Sequence, residues 1–443
     1  MSRRKQKLPT EPVIATIESL THEGRGVTHI DGKAVFVDGV LPKEEVRCRY
    51  VHRHRRYDEA ELLEILRASP ERVTPRCAHF AVCGGCSLQH LAAEQQIGNK
   101  QQVLLDNLQR IGKVTPATVL PPMTGPVWGY RRKARLGVKY VIKKGKVLVG
   151  FREKRSGFLA ELERCEVLHP DVGMRLTELA ELIATLACRD RLPQIEVAVG
   201  DNATALVLRH LDPLSAEDHS KLIDYAKTTG LWLYLQPAGP DSIVPLWPEQ
   251  PRLFYRLDEY DVEIDFEPGD FVQVNSDINR QMIHQALALL DVQPDDRVLE
   301  LFCGLGNFSF ALARQAATVT SVEGEKSLID RARLNAQQNG LDNVSFHVAD
   351  LAATDPNVPW LKQGDYSKVL LDPARTGADG IIPQLGKLAV PRIVYVSCNP
   401  ATLARDAGML CHDYGYQLVS AGVMDMFPHT AHVESIALFE RKK

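Results

Sequence analysis

Residues 297–308 read RVLELFCGLGNF, and this stretch decides the fold of the C-terminal part of the chain. An apolar strand runs into the turn Gly304-Leu-Gly306 and then into a helical stretch. Glycines at that place let the backbone approach a ligand closely at the carboxyl end of the strand. Ser309 holds the place of the third glycine of a dinucleotide fingerprint, which disfavours NAD, and nothing like a P-loop lysine follows. Outward from this strand come TVTSVE at 318–323, VSFHVAD at 344–350, KVLLD at 368–372 and RIVYVSC at 392–398, with helical stretches between them. That alternation predicts a parallel sheet with crossover helices. Successive strands end in Glu323, Asp350, Asp372 and Cys398, on the edge where open α/β sheets bind ligands. Glu323 suits a pair of ribose hydroxyls and Asp350 an adenine amino group. One such acid alone reads as a cap or turn residue; the series does not.

The 443 residues are 44% hydrophobic and 25% charged, enough for two to four ordinary globular domains. No run reaches the length of a membrane span, and no apolar core follows the basic start MSRRKQK, so a cytoplasmic protein is expected. Residues 10–68 read as a small β module with a hairpin turn at Asp31-Gly32. Its last stretch, from Tyr57 to Leu66, reads as a strand or a helix. Residues 69–76, with Pro70 and Pro75, look like a linker. A helix is expected from Ala92 to Ile111 with Val103, Leu104, Leu108 and Ile111 on one face. The expected domains are 10–68, a central αβ domain over 69–261, and the catalytic α/β domain over 262–443.

A formal net charge of −3 says little, but its distribution does. Between Trp128 and Arg155 stand eleven Lys or Arg and one acid, Glu153. Arg47, Arg49, Arg53, Arg55 and Arg56 are interleaved with Tyr50, His52, His54 and Tyr57, and the compensating acids lie mostly elsewhere. Such stripes are the expected footprint of RNA phosphates. Of the nine cysteines, Cys77, Cys83 and Cys86 follow Cys-x5-Cys-Gly-Gly-Cys, and Cys165 lies far downstream. In a reducing compartment this cluster suggests metal ligands before disulfides. Four thiolates suit zinc or an iron–sulfur cluster, and spacing does not choose between them. Cys48, Cys188, Cys303 and Cys411 read as small buried apolar groups.

FVQVN at 271–275, LFCGLGNF at 301–308, DPAR at 372–375, SCNP at 397–400 and HVE at 432–434 together resemble the RNA uracil-C5 methyltransferase family. The resemblance runs from the β module to Glu434. It implies three parts: an N-terminal OB-like β barrel of the TRAM type, a central α/β domain with a four-cysteine site, and a Rossmann-like class I methyltransferase domain. S-adenosylmethionine is the implied methyl donor, with Gln273, Phe302, Asn307, Glu323, Asp350 and Asp372 binding it or lying beside it. Cys77, Cys83, Cys86 and Cys165 would hold a [4Fe-4S] cluster. Barrel and cluster together point to members acting on 23S ribosomal RNA, because transfer-RNA members generally lack both. No membrane or obligate protein partner is implied. A transfer-RNA uracil-C5 methyltransferase and a non-catalytic RNA-binding iron–sulfur protein are the rivals.

The chemistry explains two of the implied residues. Uracil C5 is too weak a nucleophile to take a methyl group until a thiolate has added at C6, and a base must afterwards remove the C5 proton. The resemblance gives these roles to Cys398 and Glu434, with Asp372 and Arg375 orienting the uracil. Amino-nitrogen methyltransferases need an aromatic after an Asn/Asp-Pro-Pro turn, which DPAR lacks. Cytosine-C5 enzymes carry a Pro-Cys at the fourth strand, which is also absent.

Overall fold

In a computed structural model, the protein is described at residue 9 and residues 11–353, 355, 357–362 and 365–442. The C-terminal sheet has eight strands in the order 344–348, 318–323, 297–301, 368–371, 392–397, 434–441, 416–424 and 118–119. The first five pair in parallel, as the alternating pattern predicts. The three central ones, 297–301, 368–371 and 392–397, are mostly apolar because helices such as Ser276–Leu290, Lys326–Gln338 and Pro400–Asp413 cover the sheet, whereas 318–323 and 344–348 interleave polar residues. From 297–301 the chain moves outward to 318–323 and 344–348, then returns to pair 368–371 on the other side. This reversal opens a crevice at the strand ends. The last two long strands form an antiparallel hairpin against 392–397.

The N-terminal module is a sheet in which the first run, Val13–Leu20, touches both edges. Val13–Thr16 pairs with Glu45–Arg53, and Ser19–Leu20 pairs with Gly26–Ile30, so the sheet closes on itself. Its small core is Ile17, Val35, Val37, Val40, Val46, Cys48 and Ala60. The Asp31-Gly32 turn forms as expected, with φ of 52° and 75°, and Tyr57–Arg67 is a strand. The stretch after it is anchored: Arg72 donates to the buried Glu44 carboxylate at 2.6 and 2.8 Å and to the Gly39 carbonyl at 2.7 Å.

The central sheet runs 244–247, 232–236, 204–209, 194–199, 133–141 and 146–150. One segment of the central stretch belongs elsewhere: Thr118–Val119 extends the C-terminal sheet, and helix Ala93–Asn107 packs on Tyr416–Met424 and on Pro400–Asp413. Leu104 and Leu108 are buried as expected, but Ile111 is 49% exposed. The helix gives way to a π turn over Leu108–Gly112, whose wider pitch rotates Ile111 off the apolar face.

The basic stripes are altered most by folding. Arg47 pairs with Glu64 at 2.9 Å, Arg49 with Glu61, and Arg53 with Asp58 at 3.5 Å, all across neighbouring strands. Arg132 is tied to Asp201, and Lys133 and Arg135 to Glu196 at 3.1 and 3.7 Å. Acids on neighbouring strands thus pair with many of these cations, although Arg47, Arg49 and Arg135 remain 46%, 53% and 69% exposed.

Candidate active site

The strand register builds the centre of the site. Strands Arg392–Ser397 and Glu434–Arg441 are antiparallel with Ser397 opposite Ser435. Extending that register by one step sets Cys398 opposite Glu434. The parallel pairing of Leu371 with Tyr395 brings Asp372 to the same end. Asn399 then caps helix Pro400–Asp413, accepting the Ala401 N–H at 3.1 Å and donating to the Arg375 carbonyl at 3.0 Å. Cys398 therefore stands just before a helix N-terminus, with the Asp372–Arg375 turn fastened beside it.

The glycine turn closes the other wall. Phe302 takes φ 64°, its N–H donating to the Val322 carbonyl at 2.8 Å. Gly306 has φ 94°, and a Cβ there would stand 2.6 Å from the Phe310 ring, so only glycine fits. The Glu323 carboxylate accepts the N–H groups of Gly304 at 3.1 Å, Gly324 at 2.7 Å and Glu325 at 3.2 Å. Asn307 exchanges two hydrogen bonds with Asn279, at 2.8 and 3.0 Å, and accepts the Tyr255 hydroxyl at 3.0 Å. Beneath the turn, Glu300 accepts the hydroxyls of Ser309 and Ser321, the latter at 2.9 Å.

Gln273, Phe302, Asn307, Glu323, Asp372, Cys398 and Glu434 line a single cavity of about 440 Å³. Arg375, Phe427 and the 70% exposed Phe271 complete its wall. Asp350 does not line it. It lies beyond the end of the outer strand Val344–Val348 and accepts the Ala352 N–H at 2.9 Å. A second, open groove of about 720 Å³ shares only Cys398 and Arg375 with the cavity. Its walls come from His22 and Glu23 of the N-terminal module, Gly84–Ser87 of the cysteine loop, Arg131, and Thr430–Val433. Cys398 stands where an enclosed pocket meets this groove.

Three groups at that junction hold protons more tightly than usual. Burial pushes Asp372 up to about 7. Burial, then the Asp372 charge, push Glu434 up to about 8, while Arg375 and Lys100 pull the other way. Burial, reinforced by Glu434 and Asp372, raises Cys398 to about 11, and Arg375 opposes them. Arg375 and the helix N-terminus are the groups here that favour a thiolate.

Cys77, Cys83, Cys86 and Cys165 line a separate small cavity with Phe80, Phe151, Leu162 and Arg131. Burial raises Cys86 to about 12 and Cys165 to about 11. Lys154 lies over the Phe80 ring at 3.9 Å, near enough for the thiol charges to act on it. Among the described residues, no group of three or more His, Cys, Asp or Glu is gathered as a site for a metal ion. Cys48, Cys188 and Cys303 are buried, and Cys411 is half-buried.

Sequence reasoning did not find Glu300, Asn279, Tyr255 or Lys100. For Lys100 a signal existed: helix Ala93–Asn107 buries Gln96, Ile97, Lys100 and Leu104, so two polar residues occupy core positions of one helical stripe. Of the basic window, Arg131 faces the groove, and its guanidinium lies 5.9 and 6.0 Å from the rings of Phe151 and Phe427.

Comparison with known proteins agrees with this geometry. The family model described as tRNA (Uracil-5-)-methyltransferase matches residues 254–442. The 23S rRNA (uracil(1939)-C(5))-methyltransferase RlmD of Methylococcus capsulatus is 54% identical over 439 residues, covering 99% of each chain. Its namesake from Alkalilimnicola ehrlichii is 54% identical over 443 residues, covering 100% of this chain and 99% of the relative. The Pyrococcus abyssi tRNA (uracil-54, C5)-methyltransferase, solved in complex with S-adenosyl-L-homocysteine, superposes with a TM-score of 0.74 at 24% identity, over 96% of this chain and 99% of that one, and shares its fold. With full-length relatives at this level of identity, the chain belongs to the RNA uracil-C5 methyltransferase family.

Proposed function

We propose that this protein methylates C5 of a uridine in 23S ribosomal RNA, the reaction for which its full-length relatives are named, with uridine 1939 as the target. The observation that carries the reading is that Cys398 and Glu434 line one cavity, with Cys398 at the point where that cavity meets the groove. The cavity suits S-adenosylmethionine, whose sulfonium supplies the methyl group. Glu323, fixed by three backbone N–H groups, faces the glycine turn where ribose hydroxyls would lie, and Gln273, Phe302 and Asn307 line the walls. Asp350 is the weakest member of the cofactor set, since it lies outside the cavity lining.

The uracil enters from the groove. The Cys398 thiolate adds to C6, and the electron pair of the C5=C6 bond moves into the ring as an enolate. Asp372 and Arg375, beside Cys398, orient the ring, and Arg375 offsets the developing charge. C5 takes the methyl group as the sulfonium S–CH3 bond breaks, its electron pair staying on the sulfur of the departing thioether. Glu434 then removes the C5 proton, the electron pair of that C–H bond restores C5=C6, and the C6–S bond breaks to return the Cys398 thiolate.

The wider reading has three domains: residues 10–68, a closed sheet of the TRAM type; 69–261, carrying the cysteine site; and 262–443, the methyltransferase domain. A [4Fe-4S] cluster on Cys77, Cys83, Cys86 and Cys165 fits the chemistry of the donors. The four thiols line one cavity, and the resemblance to cluster-bearing members of the family chooses a cluster over one zinc. Arg131 and Lys154 offset its negative charge. Its role is structural, because the backbone N–H groups of Ser87 and Leu88, next to Cys86, both donate to the His429 carbonyl at 2.9 Å and so brace the segment that leads to Glu434. Among the described residues no helix is long and apolar enough to cross a membrane.

The test is covalent capture. With S-adenosylmethionine supplied, 5-fluorouridine in a 23S rRNA fragment should trap the wild-type protein as a denaturation-resistant complex, and Cys398→Ala should trap none. Methylation of transfer RNA in preference to ribosomal RNA would overturn the substrate assignment.

A further inference from the structure

We propose that Lys100, on a helix far from the reacting strands in sequence, is a positioning residue for Glu434. The inference rests on the uridine-C5 reading above. Lys100 is 2% exposed. Its ammonium donates to Asp425 Oδ1 at 2.7 Å and to the Phe427 carbonyl at 2.9 Å. Both partners lie at the start of the segment 425–433, which connects strand Tyr416–Met424 to strand Glu434–Arg441. The two ends of that segment are neighbours, since Met424 pairs with Glu434 in the hairpin register. A hold on Asp425 and Phe427 is therefore a hold on the backbone beside Glu434.

The hold continues along the same helix face. Gln96, one turn before Lys100, accepts the His429 N–H at 2.8 Å and donates to the carbonyls of Leu88 and Leu91 at 3.0 and 2.8 Å. The Tyr130 hydroxyl donates to the Pro428 carbonyl at 3.0 Å. Nine residues without regular structure are thus tethered at 425, 427, 428 and 429. An apolar pair in place of a buried lysine and aspartate would hold the same elements together without desolvating two charges. What an apolar pair cannot supply is a donor that holds Asp425 and the Phe427 carbonyl at once and so fixes the backbone beside Glu434. The charged and titratable groups facing Glu434 are Asp372, Arg375 and Cys398 from the neighbouring strand ends, and Lys100 from the helix. Asp425 pairs with Lys100 and offsets part of its charge, so Lys100 chiefly fixes the base and adds the smaller pull, after Arg375, toward its deprotonated form.

The experiment separates the base step from the steps before it. In 5-fluorouridine RNA the fluorine takes the place of the proton that Glu434 removes, so trapping reports only thiol addition and methyl transfer. In the full-length protein, Lys100→Met should trap fluorinated RNA within about threefold of the wild-type rate, while turnover on ordinary RNA falls about tenfold or more, the scale of a misplaced catalytic group. A covalent species should accumulate on ordinary RNA, and the pH at half-maximal release should move upward. Lys100→Arg should recover part of the turnover. Because Lys100→Met leaves Asp425 buried without its cation, the paired variant Lys100→Met with Asp425→Leu removes both charges together and carries the decision if the single variant unfolds. Equal losses of trapping and turnover, or a paired variant with wild-type turnover and pH midpoint, would overturn the proposal. Wild-type protein that traps no fluorinated RNA would instead sink the uridine-C5 reading itself.

Discussion

Glu300 offers a measurement whose size follows from its surroundings. It is 1% exposed, in the middle of the first strand of the parallel sheet, and it holds Ser309 and Ser321 beneath the glycine turn. Burial raises it from 4.5 to about 8 against the two hydroxyl bonds, with help from the Asp372 and Glu323 charges. The sign follows directly. A carboxyl whose folded value lies above its unfolded value stabilises the fold fully below 4.5, and that contribution is lost as pH rises through about 8. At ~1.36 kcal/mol per unit, the loss across that window is about 5 kcal/mol, an upper figure for one group. Glu300→Gln keeps an acceptor for both serines and cannot ionise. Its amide nitrogen would take the place of Oε1, which has no partner now, at a cost of about 1–3 kcal/mol. The variant should thus be the less stable protein at acid pH and the more stable one above about pH 8. Glu434 titrates in both proteins, so its contribution is common to the two curves, whereas the Asp372 and Glu323 charges act on Glu300 in the wild type alone. Urea unfolding followed by circular dichroism between about pH 5 and 9 reads the two curves. Parallel curves across that range would refute a buried, proton-holding Glu300.

Other perturbations test the site directly. Glu434→Gln should stall after methyl transfer, so a slow-migrating protein–RNA band should build up on a denaturing gel with ordinary RNA; normal turnover would make Glu434 a bystander. Cys83→Ser should lose iron and visible colour in anaerobically prepared protein, and stoichiometric zinc in the wild type would replace the cluster assignment. Gly306→Ala forces a Cβ to 2.6 Å from the Phe310 ring, so S-adenosylmethionine binding by calorimetry should weaken by about tenfold or more while RNA binding persists. Arg131→Gln should lower the salt dependence of RNA binding by roughly 0.7–0.9 log units, the size of one phosphate contact. Arg132→Gln should leave that slope alone and act on stability, because Arg132 is spent on Asp201.

The parallel sheet was legible in the sequence because its central strands, buried on both faces, are mostly apolar and alternate with helical stretches, and no tertiary detail is needed to recognise that pattern. The glycine turn was legible for a similar reason: a backbone at φ 94° against an aromatic ring leaves room for one residue type. The family motifs named the acids and the thiol, yet only the register made neighbours of Cys398 and Glu434, because an antiparallel pairing is a relation between two segments and is written in neither. The pairing within the basic stripes was hidden for the same reason. A count along the chain finds eleven cations against one acid, whereas Glu196 and Asp201 reach Lys133 and Arg132 only after sheet formation. Ile111 left its apolar face through a π turn that no period of 3.6 anticipates. Lys100 is the extreme case. Its sequence neighbourhood is an ordinary helix, and its partner Asp425 lies 325 residues away, so the only local trace is a charged residue at a core position of the helix. Sequence determined which side chains could do chemistry; packing decided which of them meet.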